Sequence, residues 1–395
     1  MTFDFKALMR EATELTAAQK LAEATEVIQR ALSGTPAALD GAPMLGPPPR
    51  DASPDKADET ASARQAEARP RAGRSPRRPL GEVLALLKKG RRGAAQPRSA
   101  PLVEVPDGAE WLLRSFTDEA GSRDAMVYVP AKARGGGAPL VIMLHGCTQN
   151  PEDFAVGTGM NRLADELGFV VAYPRQAAGA NPQGCWNWFN PADQQRGAGE
   201  PRLIAGLTQA IVAEFGVDRS RVFVAGLSAG GAMAAVMGAA YPDLYAAVGV
   251  HSGLAHGSAS DVASAFAAMR GAPAPGQGAR RRRTGGKGAR TIAFHGKADA
   301  TVHPSNADAV LAQARAGLAG SVQELQHDGA AGGRAYTRTI VSAGGDASHA
   351  EVWSVEGLGH AWSGGSARGS YADPSGPDAS REMLRFFLDG TPAAK

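Results

Sequence analysis

The sequence predicts an α/β fold built on a mostly parallel, doubly wound sheet, and three observations carry that prediction. Short strand-like runs alternate with helix-like segments through the second half of the chain, the order that crossover connections produce. The run Arg221-Val222-Phe223-Val224-Ala225 is short, β-branched and apolar, as a strand covered on both faces is. It passes through Gly226-Leu227-Ser228-Ala229-Gly230 directly into Gly231-Ala232-Met233-Ala234-Ala235-Val236-Met237, a small-residue helix suited to close packing.

Taken in order, Glu110-Trp111-Leu112-Leu113-Arg114 and Asp124-Ala125-Met126-Val127-Tyr128-Val129 suit an antiparallel hairpin at the sheet edge. A strand over 141–145, a helix near 160–167 and a strand over 169–173 follow, and then a long loop. A helix near 203–215 precedes the strand at 221–225, the Gly-x-Ser-x-Gly turn and a helix over 229–240. Strands near 247–250, 291–295 and 350–355 come next, with a closing helix from about 378 to 388.

A Gly-x-Ser-x-Gly pentapeptide alone is weak in a chain rich in Gly and Ala. Between a strand and a helix it reads as a nucleophile elbow, a turn too sharp for side chains on either side of the serine. Such a turn leaves the Ser228 hydroxyl at a helix N-terminus, where backbone N–H groups can receive an oxyanion. A serine hydroxyl needs a base, and the base needs an acid to orient it. Both follow downstream, each after a strand-like run. Thr291-Ile292-Ala293-Phe294-His295-Gly296 precedes Asp299, and Glu351-Val352-Trp353-Ser354-Val355 precedes Gly357-Leu358-Gly359-His360. Groups at the carboxyl ends of parallel strands converge on one edge of the sheet, so Ser228, Asp299 and His360 are the candidate catalytic set. His295 and His303 flank the acid and come too early in the order, and Asp261 and Asp308 are poorer acids. His145 ends a strand and suits bracing a loop. The second oxyanion donor is expected after Leu140-Val141-Ile142-Met143-Leu144, where the N–H of Cys147 would pair with that of Ala229; a plain strand-to-loop corner is the alternative.

At 395 residues with 43% hydrophobic content, the chain can bury a full core. Its 50 glycines and 26 prolines exceed what that core needs, and much of the excess lies between about 34 and 100. That stretch has too few aliphatic clusters to offset chain entropy and reads as a disordered linker. Ahead of it, residues 1–33 carry Phe5, Leu8, Met9, Ala12 and Leu15, then Leu21, Ala24, Val27, Ile28 and Leu32, at helical spacing. So short an amphipathic helical segment is marginal alone. It is expected to dock on its own domain, on a second copy or on another hydrophobic surface. The catalytic domain would then span 101–390. A flexible basic insertion at about 271–290 carries Arg280-Arg281-Arg282-Arg283, read as solvated and without a specific nucleic-acid partner. No membrane-length apolar run and no secretory h-region are present, so a cytoplasmic setting is expected. Only two cysteines occur, Cys147 and Cys185. Their proximity stays open, reduced thiols being the cytosolic default.

Three separated motifs carry a family resemblance. Leu144-His145-Gly146-Cys147-Thr148-Gln149, Gly184-Cys185-Trp186-Asn187-Trp188-Phe189 and Gly226-Leu227-Ser228-Ala229-Gly230-Gly231-Ala232-Met233 resemble the polyhydroxybutyrate-depolymerase family of esterases. The likeness covers roughly residues 110 to 388. It implies an α/β-hydrolase fold, serine-ester hydrolysis without metal or cofactor, and the same triad of Ser228, Asp299 and His360 with Cys147 at the oxyanion loop. It also implies a substrate class, short-chain poly(3-hydroxyalkanoate) or its oligomers, with small feruloyl or acetyl esters as the alternative. With that class, the hydrophobic surface open to residues 1–33 would be the surface of a polyester granule. From another class comes a granule-associated binding protein with a vestigial esterase domain. Trp186 and Trp188, in a Gly- and Asn-rich loop, are candidate walls for an acyl chain or aromatic ring; the alternative is that they anchor the loop. His251, a sheet-end residue near the site, completes the candidate substrate contacts.

Overall fold

The computed structural model describes residues 101–272, 289–316, 318, 321–343 and 348–389. The expected helical segment at 1–33, the linker at 34–100 and most of the insertion at 271–290, including Arg280-Arg281-Arg282-Arg283, lie outside the described residues.

The described elements begin with β1 (Glu110–Asp118), β2 (Gly121–Val129) and β3 (Leu140–Leu144), followed by α1 (Pro151–Thr158), α2 (Met160–Leu167) and β4 (Val170–Pro174). Next come α3 (Gly199–Glu214), β5 (Val222–Leu227), α4 (Ala229–Ala240), β6 (Ala247–His251), α5 (Val262–Met269) and β7 (Arg290–Gly296). The remainder is α6 (Ser305–Ala316), β8 (Val322–Ala331), β9 (Arg334–Ala343), β10 (Ala350–Val355), β11 (Trp362–Ser363), β12 (Ala372–Asp373) and α7 (Ala379–Asp389). Ten strands form one sheet in the order β1-β2-β4-β3-β5-β6-β7-β10-β9-β8. The six from β4 to β10 are parallel, and antiparallel pairs close both edges.

Strand alternation sends successive side chains to opposite faces, and here both faces are covered. Leu140, Ile142, Leu144, Val222 and Val224 pack on one side with α3 and α4 residues such as Leu207, Ile211, Met233 and Val236. Val141, Met143, Phe223 and Ala225 pack on the other with Leu163, Met383 and Phe387 from α2 and α7. Phe223 and Phe387 stack at 4.8 Å, each burial of this size contributing roughly 2–3 kcal/mol. This two-sided cover is why the central strands read as unbroken apolar runs. The predicted parallel strands and closing helix lie within a residue or two of the observed ones, whereas the edge hairpin is longer than predicted, β1 running four residues further and β2 starting three residues earlier. The β8–β9 hairpin and helices α1, α5 and α6 have no counterpart in the sequence reading. β8 is the outermost strand and exposed along most of its length, so no face of it carries an apolar period. α6 buries little beyond Asn306, Ala307, Val310 and Ala314.

Candidate active site

β3, β5, β7 and β10 all deliver their carboxyl ends to one edge of the sheet, and the candidate residues follow those ends. Ser228 sits between β5 and α4 with φ 58° and ψ −119°, a left-handed strain for a residue with a Cβ. Its N–H donates to the His251 carbonyl at 2.9 Å, which holds the turn. Gly226 and Gly230 have no room for a side chain. A Cβ on Gly226 would lie 2.6 Å from the Leu144 carbonyl oxygen, and one on Gly230 would overlap the same oxygen. Glycine is therefore a steric requirement at both positions. Ser228 itself is half-buried and reaches solvent.

Asp299 lies in the loop after β7 and is buried. Its Oδ2 is 2.7 Å from His360 Nδ1, and its Oδ1 accepts from the Thr301 and Val302 N–H groups at 2.9 Å each. Burial works to raise this carboxyl; the His360 hydrogen bond and charge and the two N–H donors overcome it and hold it below the ordinary carboxylate value. The loops of Asp299 and His360 are stitched together by Lys297 N–H to Val355 O (2.9 Å) and Ala298 N–H to Leu358 O (3.0 Å). With Nδ1–H committed to Asp299, Nε2 is the His360 nitrogen left with a free lone pair, and the ring is half-buried.

The loop after β3 comes against the nucleophile turn: a Cβ placed on Gly146 would be 3.6 Å from Ser228 Cβ. Cys147 follows it, half-buried, and Ala229, next in the chain to Ser228, is the first residue of α4. Cys147 is joined to Cys185 by a disulfide, which settles the open question of their proximity. Gln149 Oε1 accepts from Gly146 N–H at 2.9 Å, and Thr148 N–H donates to Gln183 O at 2.8 Å.

Three candidate substrate contacts are corrected. Trp186 is fully buried and its Nε1–H donates to the His145 carbonyl at 3.0 Å; Trp188 is buried in the same core. Both anchor the loop beneath the site instead of walling it. His251 is also fully buried, stacked at 4.9 Å on Trp362 and 5.8 Å on Phe294. Its Nε2 accepts from Ser363 N–H at 2.9 Å, so the ring braces the sheet end. An aromatic or imidazole ring fits either role by composition alone, and packing decides.

The sequence reading missed a buried polar group that carries the loop of Cys147 and Cys185. Glu200, its carboxyl lifted above the ordinary value by burial, accepts from Asn187 N–H (2.8 Å) and from the Gln176 side chain. Gln176 also accepts from Arg123 (2.6 Å) and donates to the Cys185 carbonyl (2.8 Å). A lone Glu within the apolar face of α3 is the sequence signal that could have pointed to it.

His145, His251 and His295 are neutral in this interior. Burial pushes His145 down to about 4 and His251 and His295 below the ordinary histidine value. Below pH 6.5 the unfolded chain takes up protons at these positions more readily than the folded chain, at His145 down to about pH 4, so stability falls as the pH falls. His145 alone accounts for roughly 3 kcal/mol over that range, a sizeable share of a typical 5–15 kcal/mol. His256, also lowered by burial, acts with these three, whereas Glu200, with its raised carboxyl, acts in the opposite direction. The midpoint of thermal unfolding is therefore expected to drop steeply between pH 6.5 and 4.5. A flat profile across that window would show that these rings are not buried neutral.

The comparisons agree with this architecture. Residues 124–336 match the family described as Esterase PHB depolymerase. Poly(3-hydroxyalkanoate) depolymerase C of Paucimonas lemoignei is 35% identical over 208 residues, 51% of this chain and 50% of that protein. Feruloyl esterase B of Neurospora crassa is 37% identical over 139 residues, 35% of this chain and 46% of that one. The chain thus spans about half the length of the curated relatives it matches. Among solved structures, an acetyl xylan esterase from Aspergillus awamori superposes with a TM-score of 0.52 at 22% identity, covering 70% of this chain and 98% of that one; the shared fold is that of the α/β-hydrolases. With the family match extending over more than half its length, the chain belongs to the PHB depolymerase family of esterases.

Proposed function

We propose that the chain is a serine carboxylic-ester hydrolase. The observation that carries this reading is the 2.7 Å contact between buried Asp299 and His360, at the same carboxyl edge of the sheet as a half-buried Ser228 on a glycine-locked turn. His360 takes the Ser228 proton as Oγ attacks the ester carbonyl, and Asp299 holds the imidazole in the tautomer that leaves Nε2 free. The N–H groups of Cys147 and Ala229 receive the oxyanion. His360 then protonates the leaving alcohol, and a water it activates releases the acid from the acyl-enzyme.

For the substrate we favour short-chain poly(3-hydroxyalkanoate) or its oligomers, supported by the depolymerase among the relatives. Small feruloyl or acetyl esters are the second reading, favoured by the esterases matched beside it. Among the described residues no helix is long and apolar enough to cross a membrane. The Cys147–Cys185 disulfide favours an oxidising compartment over the cytoplasmic setting expected from sequence. Residues 1–33 remain our candidate for docking on a polyester granule or on a second copy. The test is parallel hydrolysis of amorphous polyhydroxybutyrate, methyl ferulate and p-nitrophenyl butyrate. Release of 3-hydroxybutyrate is expected; turnover of the small esters alone would replace the polymer reading with the second one.

A further inference from the structure

One large aromatic side chain at this edge of the sheet is not packed away. Tyr371 is 46% exposed, and its backbone is left-handed, with φ 49°. Among the described residues just four that are not glycine have positive φ: Thr148, Ser228, Ser252 and Tyr371. Ser228 is the candidate nucleophile, Thr148 follows Cys147, and Ser252 follows His251. Strain of this kind persists where surrounding contacts impose it, and it gathers at working sites.

The contacts that impose it on Tyr371 come from both sides of the site. On the base side, Trp362 N–H donates to the Tyr371 carbonyl at 2.8 Å, and Trp362 pairs with Ala372 in the short β11–β12 ladder. On the oxyanion side, Ser370 N–H donates to Asp153 at 2.9 Å, and Gln149 donates to the Ser370 carbonyl at 3.0 Å. Gln149 is the residue that also holds Gly146. So fixed, the Tyr371 ring stands edge-on to His360 with centroids 6.4 Å apart. Its hydroxyl is 3.4 Å from Thr148 Oγ1, which in turn donates to the Cys147 carbonyl at 2.6 Å. The phenol thus spans from the base to the oxyanion loop with nearly half its surface in solvent.

We propose that Tyr371 is a specificity-determining residue. With Thr148 beside it, its ring forms the apolar wall on which the bulky part of an ester packs, in the place that the sequence reading gave to Trp186. An exposed aromatic surface held rigid at the mouth offers contact area at little entropic cost. This inference rests on the ester-hydrolase reading.

The test compares p-nitrophenyl acetate and p-nitrophenyl octanoate for the wild-type chain, Tyr371→Gly and Tyr371→Phe, with kcat, KM and thermal midpoint for each. Tyr371→Gly is expected to lose on the order of tenfold more kcat/KM on the octanoate than on the acetate, chiefly through KM. Tyr371→Phe should keep the wild-type ratio, because the ring is what packs. Glycine is at ease at positive φ, so the thermal midpoint of Tyr371→Gly should not fall. Equal losses on the two esters, or a Phe variant that behaves like Gly, would overturn the proposal. A wild-type chain inactive on both esters would remove the hydrolase reading and this one with it, whereas an active wild type with an unchanged ratio removes this one alone.

Discussion

Ser228→Ala is expected to lower kcat on p-nitrophenyl butyrate by roughly 10⁵- to 10⁶-fold, the loss seen when the nucleophile of such a site is removed. Among the described residues, neither Cys147 nor Ser252 can substitute for it. Cys147 is held in the disulfide. Ser252 is fully buried, and its hydroxyl lies 3.2 Å from His251 Nδ1. The fold should be indifferent to the change. Alanine carries the same Cβ through the same φ of 58°, and the N–H to His251 O bond that fixes the turn belongs to the backbone. The far-ultraviolet circular dichroism and thermal midpoint of the variant should match the wild type. Retention of more than about 1% of the turnover, against an expected loss that large, would place the nucleophile elsewhere.

How much of this was legible in the sequence depended on whether a residue's role is fixed by its neighbours in the chain. The turn at Gly226 and Gly230 was legible because part of the steric demand is local: a Cβ on Gly226 would overlap the Gly230 carbonyl, four residues on, even though Gly230 itself is blocked by the distant Leu144 carbonyl. Asp299 and His360 were legible because each follows a strand that reads as buried, and parallel strands bring their carboxyl ends together. The roles of Trp186 and His251 were not legible. Nothing in Cys185-Trp186-Asn187 says whether an indole faces the cleft or donates to His145 beneath it. Tyr371 escaped for the converse reason. It sits in a Gly- and Ser-rich stretch with no hydrophobic period, and its significance arises from partners about 220 residues earlier, as the Thr148 contact shows. The Cys147–Cys185 bond closes a separation of 38 residues, a distance that sequence spacing does not constrain.

Asp299→Asn is expected to lower kcat by about 10⁴-fold, and the hydrogen bonds say why the effect should be so large for a change of one atom. In the native site Oδ1 accepts from both the Thr301 and the Val302 N–H groups. An asparagine must place its carbonyl oxygen there, because its amide nitrogen would meet two donors with a third. That choice turns the NH₂ group toward His360 Nδ1, at the position where Oδ2 now receives a hydrogen bond at 2.7 Å. The imidazole must then accept at Nδ1 and carry its proton on Nε2, and a protonated Nε2 cannot take the proton of Ser228. The shape of the site is unchanged, so KM should move far less than kcat, and the thermal midpoint should stay close to that of the wild type. Asp299→Ala offers no donor to Nδ1 and leaves both tautomers open, so it should be the less damaged of the two in kcat despite removing more of the side chain. An Asn variant more active than the Ala variant would overturn the tautomer argument, equal losses in the two would show that Asp299 acts by its charge alone, and a loss smaller than about tenfold, far short of the tautomer effect, would remove it from the triad.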